Sequence, residues 1–243
     1  QIIDNIIDKI PKEMNNYHEL FLGGGSVLLA ILSLQKNNEI VIKEKIYAYD
    51  INKDLINVYK DVKSNLDELC KYIKFYINEY ENINVLKGNK KPSNLEEAKT
   101  SRESYYYWLR NKYNSMNKDT IECSALFIFI NKTCFRGMYR EGPNGYNVPY
   151  GNYKKPAIIN ENELKCISEL IQNVEFVHSS FISSIKNIKV AKFHAKKNNL
   201  KIDYKIGSPE KLKTEKKFDV ILNMEIVEHV EDINFFIEQS SNL

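Results

Sequence analysis

Glu19-Leu-Phe-Leu-Gly-Gly-Gly-Ser-Val27 decides how the rest of this chain is read. A short apolar run stops at three consecutive glycines, and an apolar helical pattern over 27–34 follows. Further on, Ile46-Tyr-Ala-Tyr-Asp-Ile-Asn52 reads as a second strand ending in an acid, Asp50. This order suits a nucleotide-type site at the carboxyl edge of a parallel sheet. Glycines let the backbone approach a ligand, a helix N-terminus follows, and the acid can bind ribose hydroxyls. A glycine turn between strand and helix can also be only a turn. Asp50, placed at the end of the next strand, favours the ligand site. Gly-Gly-Gly-Ser is not the GxGxxG pattern, so the loop points away from NAD and toward S-adenosyl-L-methionine.

Upstream, Ile2, Ile3, Ile6, Ile7 and Ile10 recur at helical spacing, and the run over 1–14 is broken by Pro11. Downstream, residues 54–80 carry apolar positions at three- and four-residue steps and predict one long helix. Residues 82–97 are polar, include Lys87-Gly-Asn-Lys-Lys-Pro-Ser93, and read as a mobile loop. A helix is expected over 102–114, where three adjacent tyrosines and Trp108 require packing on both faces. A second, buried helix is expected over 120–130. Residues 131–156 change character, with Lys132, Phe135, Arg136, Arg140, Tyr153 and Lys154 around the turn Glu141-Gly-Pro-Asn-Gly145. Interleaved cations and aromatics suit a nucleic-acid surface, since cations meet phosphates and planar groups meet bases. A core-edge hairpin with a solvated rim has the same composition.

The bulk properties bound these readings. The chain has 243 residues, 43% hydrophobic and 28% charged, as in a globular protein of one domain with an insertion. No apolar run reaches the ~20 residues of a membrane span, and no signal peptide is visible. Cys70, Cys123, Cys134 and Cys166 show no CxxC spacing and read as reduced thiols of a cytoplasmic protein. The net charge of +3 does not by itself require a nucleic-acid partner, and no obligate protein partner is evident. The chain opens at Gln1 rather than Met, inside a helical pattern, which reads as an N-terminal truncation.

Four stretches, taken together and in order, resemble the Dam-like DNA adenine-N6 methyltransferases. They are Phe21-Leu-Gly-Gly-Gly-Ser-Val27, Tyr49-Asp-Ile-Asn52, Phe129-Ile-Asn-Lys-Thr-Cys-Phe-Arg-Gly-Met-Tyr-Arg140 and Tyr146-Asn-Val-Pro-Tyr-Gly-Asn-Tyr-Lys-Lys-Pro156. The likeness covers about residues 1–181. It implies an α/β fold, a Rossmann-like S-adenosylmethionine-dependent methyltransferase sheet with an inserted, mainly helical DNA-recognition region. The core would be 1–60 and 157–182, and the insertion 61–156. Phe21, Leu22, Gly23, Gly24, Gly25, Ser26, Asp50, Ile51, Ser180 and Phe181 would hold S-adenosyl-L-methionine. Lys132, Phe135, Arg136, Arg140, Asn147, Tyr153 and Lys154 would meet double-stranded DNA. The family's Asp-Pro-Pro-Tyr motif, which receives the flipped adenine, has no counterpart, because the sequence contains no Pro-Pro pair. The upstream Pro-Gly-Gly-Lys motif is absent as well.

From about Ser183 the sequence is similar instead to the ubiquinone-biosynthesis O-methyltransferases, most closely at His194-Ala195, Ile202-Asp-Tyr204 and 218–230. The fragment 183–243 would complete part of the sheet, leaving its C-terminal part atypical or incomplete. Within it, Glu225, Glu228 and His229 share one face if helical. The resemblance makes them a set for a divalent cation, while a solvated helix start accounts for the same residues. The chain thus reads as a junction of two methyltransferase fragments. The first predicts an adenine methyltransferase whose activity is in doubt for want of the acceptor motif. Alternatives are an O-methyltransferase fragment and a non-catalytic DNA-binding remnant.

Overall fold

The computed structural model describes residues 2–184 other than Ile182. The centre is a three-stranded parallel sheet of β2 (Tyr17–Glu19), β4 (Ile46–Asp50) and β7 (Val174–His178), with β4 in the middle. Tyr17 lies opposite Ile46, and Ile46 opposite Val174, so Asp50 pairs with His178 at the carboxyl edge. Parallel neighbours need crossovers, and helices supply them. α2 (Ser26–Lys36) links β2 to β4, burying Leu28, Ile31 and Leu32. This is the mixed α/β arrangement that the resemblance implies.

The first strand falls earlier than the apolar run suggests. Pairing with 46–48 fixes it at 17–19, and the chain then turns, with only the Leu22 N–H returning to the Tyr49 carbonyl at 2.9 Å. The helix expected over 1–14 is also shorter. α1 (Ile2–Ile7) ends before Pro11, whose ring disfavours helical geometry in the residue before it. Beyond it, β1 (Glu13–Met14) pairs with β3 (Val41–Ile42) in a separate two-stranded parallel ladder.

The long helical pattern over 54–80 is two helices, α3 (Lys53–Ser64) and α4 (Leu66–Glu81), broken at Asn65. Apolar spacing continues across the break, so periodicity alone does not reveal it. α5 (Leu95–Ala98) is a single turn, followed by α6 (Arg102–Ser115) and α7 (Ile121–Thr133). Tyr105, Tyr106 and Tyr107 are all buried, as packing on both faces of α6 requires. A short 3-10 turn over 135–137 leads to the hairpin strands β5 (Glu141–Gly142) and β6 (Gly145–Tyr146), and α8 (Glu161–Leu170) returns the chain to β7.

Asparagine does much of the end-work. The side chains of Asn52, Asn94 and Asn160 accept backbone N–H bonds at the starts of α3, α5 and α8. Such caps contribute about 1 kcal/mol each. Asn38 and Asn152 take left-handed backbone, with φ of 61° and 56°.

Candidate functional site

The loop after β2 and the loop after β4 meet at the carboxyl edge of the sheet. Asp50 joins them, one carboxylate oxygen accepting the Gly23 N–H at 2.9 Å and the other the Asn52 N–H at 2.8 Å. Beneath, the Tyr59 hydroxyl donates to the Gly23 carbonyl at 3.1 Å. Burial, then the Asp50 charge, pushes the Tyr59 phenol well up, so it remains a donor.

The three glycines have separate roles. Gly25 caps α2 in left-handed backbone, φ 72°, and a Cβ there would run into the Tyr59 hydroxyl. Gly23, also left-handed at φ 48°, and Gly24 face open space, with nothing within 4 Å of an added Cβ. The first requirement is internal to the fold. The other two leave bare, exposed backbone at the carboxyl edge of the sheet.

Two exposed aromatics flank it. Phe21 and Phe181 stack with ring centroids 4.9 Å apart, and each keeps about two-fifths of its surface in solvent (38% and 41%). Ile51 is exposed beside them, next in sequence to Asp50, and its carbonyl contacts His178 Nε2 at 3.0 Å. The Ser179 N–H donates to the Asp50 carbonyl at 3.0 Å, bringing 179–181 to the same edge. Ser26 is exposed, Ser180 half-buried and Leu22 buried in the core. Bare glycines, a fixed carboxylate and an apolar shelf fit a nucleoside carrying ribose hydroxyls and a planar base.

The hairpin over 135–153 forms a second surface. Phe135, Met138, Tyr139 and Tyr153 are exposed, as are Lys132, Arg136, Arg140, Asn147 and Lys154. Among the described residues, none of these cations has a carboxylate within 4 Å. Arg136 takes left-handed backbone, φ 56°, which costs about 1–2 kcal/mol for a residue with a Cβ. Its N–H donates to the Tyr153 hydroxyl at 3.0 Å, and Asn131 Nδ2 donates to the Gly137 carbonyl at 3.0 Å. Arg140 Nε donates to Asn147 Oδ1 at 2.6 Å, and its Nη2 reaches the Asn147 carbonyl at 3.3 Å. That fixes the guanidinium while leaving other N–H groups free to face a ligand.

Several residues that brace this hairpin lie on α6 and carry no signal in the sequence. Asn114 exchanges two bonds with the Tyr146 backbone, at 2.9 and 3.0 Å. The Tyr106 hydroxyl and Arg110 Nη1 both donate to the Val148 carbonyl, at 2.8 and 3.1 Å. Arg102 Nη1 donates to the Lys154 carbonyl at 2.7 Å. These bonds join distant segments, so local spacing gives no sign of them. The same helix reaches α3, where the Tyr113 hydroxyl bonds Asp54 in its first turn, and Lys118 lies 3.7 Å from that carboxylate. Burial, and then Asp54, push the Tyr113 phenol far up, keeping the proton on tyrosine.

Glu225, Glu228 and His229 lie outside the described residues. Among the described ones, no group of three His, Cys, Asp or Glu side chains could hold a metal ion. Likewise among them, no helix is long and apolar enough to cross a membrane.

A family model for the D12 class N6 adenine-specific DNA methyltransferases matches residues 1–193. The chain is 35% identical over 189 residues to the type II methyltransferase M.MjaIII of Methanocaldococcus jannaschii, covering 74% of this chain and 58% of that protein. It is 30% identical over 185 residues to the DNA adenine methylase of Haemophilus influenzae, covering 74% and 53%. The chain therefore spans only a little over half the length of these relatives. A separate match, 77% identical over 61 residues and 25% of each chain, is to the ubiquinone biosynthesis O-methyltransferase of Pelagibacter ubique.

Proposed function

The chain belongs to the D12 class N6 adenine-specific DNA methyltransferases, and on that premise we propose that it binds S-adenosyl-L-methionine at the glycine crevice and duplex DNA at the hairpin. The bound cofactor supplies an electrophilic methyl group. In this reading Asp50 receives the ribose hydroxyls, Gly23 and Gly24 allow close backbone approach, and Phe21 with Phe181 lines the base. Leu22, Gly25 and Ser26 shape the loop, while Ile51 and Ser180 complete its rim. Residues 61–156 act as the target-recognition insertion between core segments 1–60 and 157–182.

On the hairpin, Arg140 reads a base edge, held by Asn147. Lys132, Arg136 and Lys154 meet phosphates, and Phe135 and Tyr153 present planar faces. A DNA substrate fits the cytoplasm as the working compartment. One observation carries the reading: α6 links the helix that follows the Asp50 loop to the hairpin. Its Tyr113 bonds Asp54, just beyond the Asp50 loop, and its Asn114 bonds Tyr146 in the hairpin.

Adenine-N6 transfer also needs acceptors that orient the amino group, and this sequence has no Pro-Pro pair to build the family's acceptor motif. From about residue 183 the sequence resembles part of a different methyltransferase instead. The expected result is cofactor binding and salt-sensitive duplex binding, with transfer of labelled methyl to duplex adenine below detection. Transfer at a measurable rate would show that other residues of the chain supply the acceptors. Arg140→Ala should cut discrimination between preferred and scrambled duplexes by about 1–3 kcal/mol while leaving cofactor affinity unchanged. Unchanged discrimination would remove Arg140 from the recognition role.

A further inference from the structure

Residues 82–97, which the sequence predicts to be a mobile loop, are tied down by many bonds. The Arg102 and Glu103 N–H groups donate to the Val85 and Leu86 carbonyls at 2.8 and 3.0 Å. Gly88 lies so close to Ser101 and Ser104 that a Cβ would overlap both hydroxyl oxygens, and its N–H donates to Glu103 at 3.2 Å. The Lys91 N–H closes onto Asn89 Oδ1 at 2.9 Å, and Pro92 is buried. Glu97 gathers the Ser93 N–H and hydroxyl, both at 2.7 Å, together with the Asn89 amide. The bond from the Ser93 backbone and then its side chain hold the Glu97 carboxyl below its usual range. A segment fixed this firmly presents its side chains in set directions.

Those side chains include Lys87, Lys90 and Lys91, all exposed. Lys87 and Lys91 have no carboxylate partner among the described residues, and Lys90 has only Glu103 at 3.8 Å. Some surface lysines elsewhere are matched more closely, such as Lys43 with Glu13 at 2.8 Å and Lys74 with Glu161 at 2.7 Å. One guanidinium sets the loop beside the hairpin. Arg102 Nε donates to the Ile83 carbonyl at 2.7 Å, and its Nη1 to the Lys154 carbonyl at 2.7 Å. The start of the lysine loop and the end of the hairpin, where Lys154 and Lys155 stand, are therefore held by one side chain.

We infer that Lys87, Lys90 and Lys91 form a sequence-independent phosphate clamp that extends the DNA footprint beyond the hairpin. This rests on the reading of the hairpin as a duplex-binding surface. Lysine is a strongly hydrated point charge on a flexible stem, suited to phosphates, whereas base edges favour the arginine fork. The clamp should strengthen binding to any sequence equally.

The test is duplex affinity against salt, using a random-sequence duplex and the full chain. The triple variant Lys87→Ala/Lys90→Ala/Lys91→Ala should lower the slope of log affinity against log salt by up to about 2.7, roughly 0.9 for each phosphate no longer neutralised. The corresponding triple arginine variant should keep the slope. Lys43→Ala/Lys74→Ala, which removes two charges elsewhere, should also leave it unchanged. Thermal melting and cofactor titration of each variant establish that the fold is intact. An unchanged slope in the triple alanine variant, with wild-type binding present, overturns the clamp alone. An equal drop in the Lys43/Lys74 variant overturns it too, since any lysine would then serve. If the wild-type chain shows no salt-dependent duplex binding, the hairpin reading and the clamp fall together.

Discussion

In the glycine loop the working surface is main chain, whereas in the hairpin over 135–153 it is side chain. Gly23 and Gly24 offer bare backbone, held from behind by Asp50 and Tyr59. The hairpin offers exposed cations and rings, and its backbone is held from α6 by Asn114, Tyr106, Arg110 and Arg102. One surface is defined by what is missing from the Cα atoms, the other by what long side chains reach. Their supports differ accordingly. The loop is fastened by Asp50 of the neighbouring strand and by Tyr59 of α3, the hairpin largely by α6.

The strongest way to break the contrast is Gly25→Val. Left-handed backbone and the overlap with Tyr59 together should cost about 2–4 kcal/mol and abolish cofactor binding, read by thermal melting and calorimetric titration. Adding Tyr59→Phe should recover part of the stability, because the nearest clashing atom is the hydroxyl oxygen. Next is Asp50→Asn. An amide supplies one acceptor oxygen where two N–H groups now find one each, so the change should cost about 1–3 kcal/mol. Cofactor affinity should fall by about ten- to a hundredfold, on the scale of 1.4 kcal/mol per decade, with duplex affinity much less affected.

Asn114→Ala should do the reverse. Losing both bonds to Tyr146 should cost about 1–2 kcal/mol and weaken duplex binding severalfold, with cofactor affinity retained. If cofactor affinity falls equally, the two surfaces are not separately supported.

The smallest effect concerns pH. Burial lowers the His18 pKa, so the folded state disfavours its protonation. The stability contribution is present above the unfolded value of about 6.5 and is lost as pH falls through the folded one. Melting temperature should drop over that window in wild type, and less in His18→Gln. This titration lies on β2, the strand that leads into the glycine loop, where the ring stacks on Tyr47 and Tyr49.

The glycine loop is legible in the sequence because its requirement is local: three glycines, then an acid closing the next strand. The hairpin's cations and rings are equally plain, as are the buried faces of α6 and α7. What stays hidden depends on distant partners. The extent of β2 is set by pairing with 46–48, not by the apolar run before the glycines. The break at Asn65 leaves the apolar spacing of 54–80 intact, and the bracing by Asn114 and Arg102 joins segments far apart in the chain. The loop over 82–97 looks mobile because it is polar, yet those polar groups are what bind it down.

Asparagine, abundant here, has a consequence for how such a chain can drift. An A+T-rich reading frame supplies this residue freely, and it is among the few that fit both a helix N-cap and left-handed backbone. Asn52, Asn94 and Asn160 occupy the first kind of position, Asn38 and Asn152 the second. Asparagine can therefore accumulate at helix ends and turns with little loss of stability, since these positions make no demand on the buried tyrosines and leucines between them.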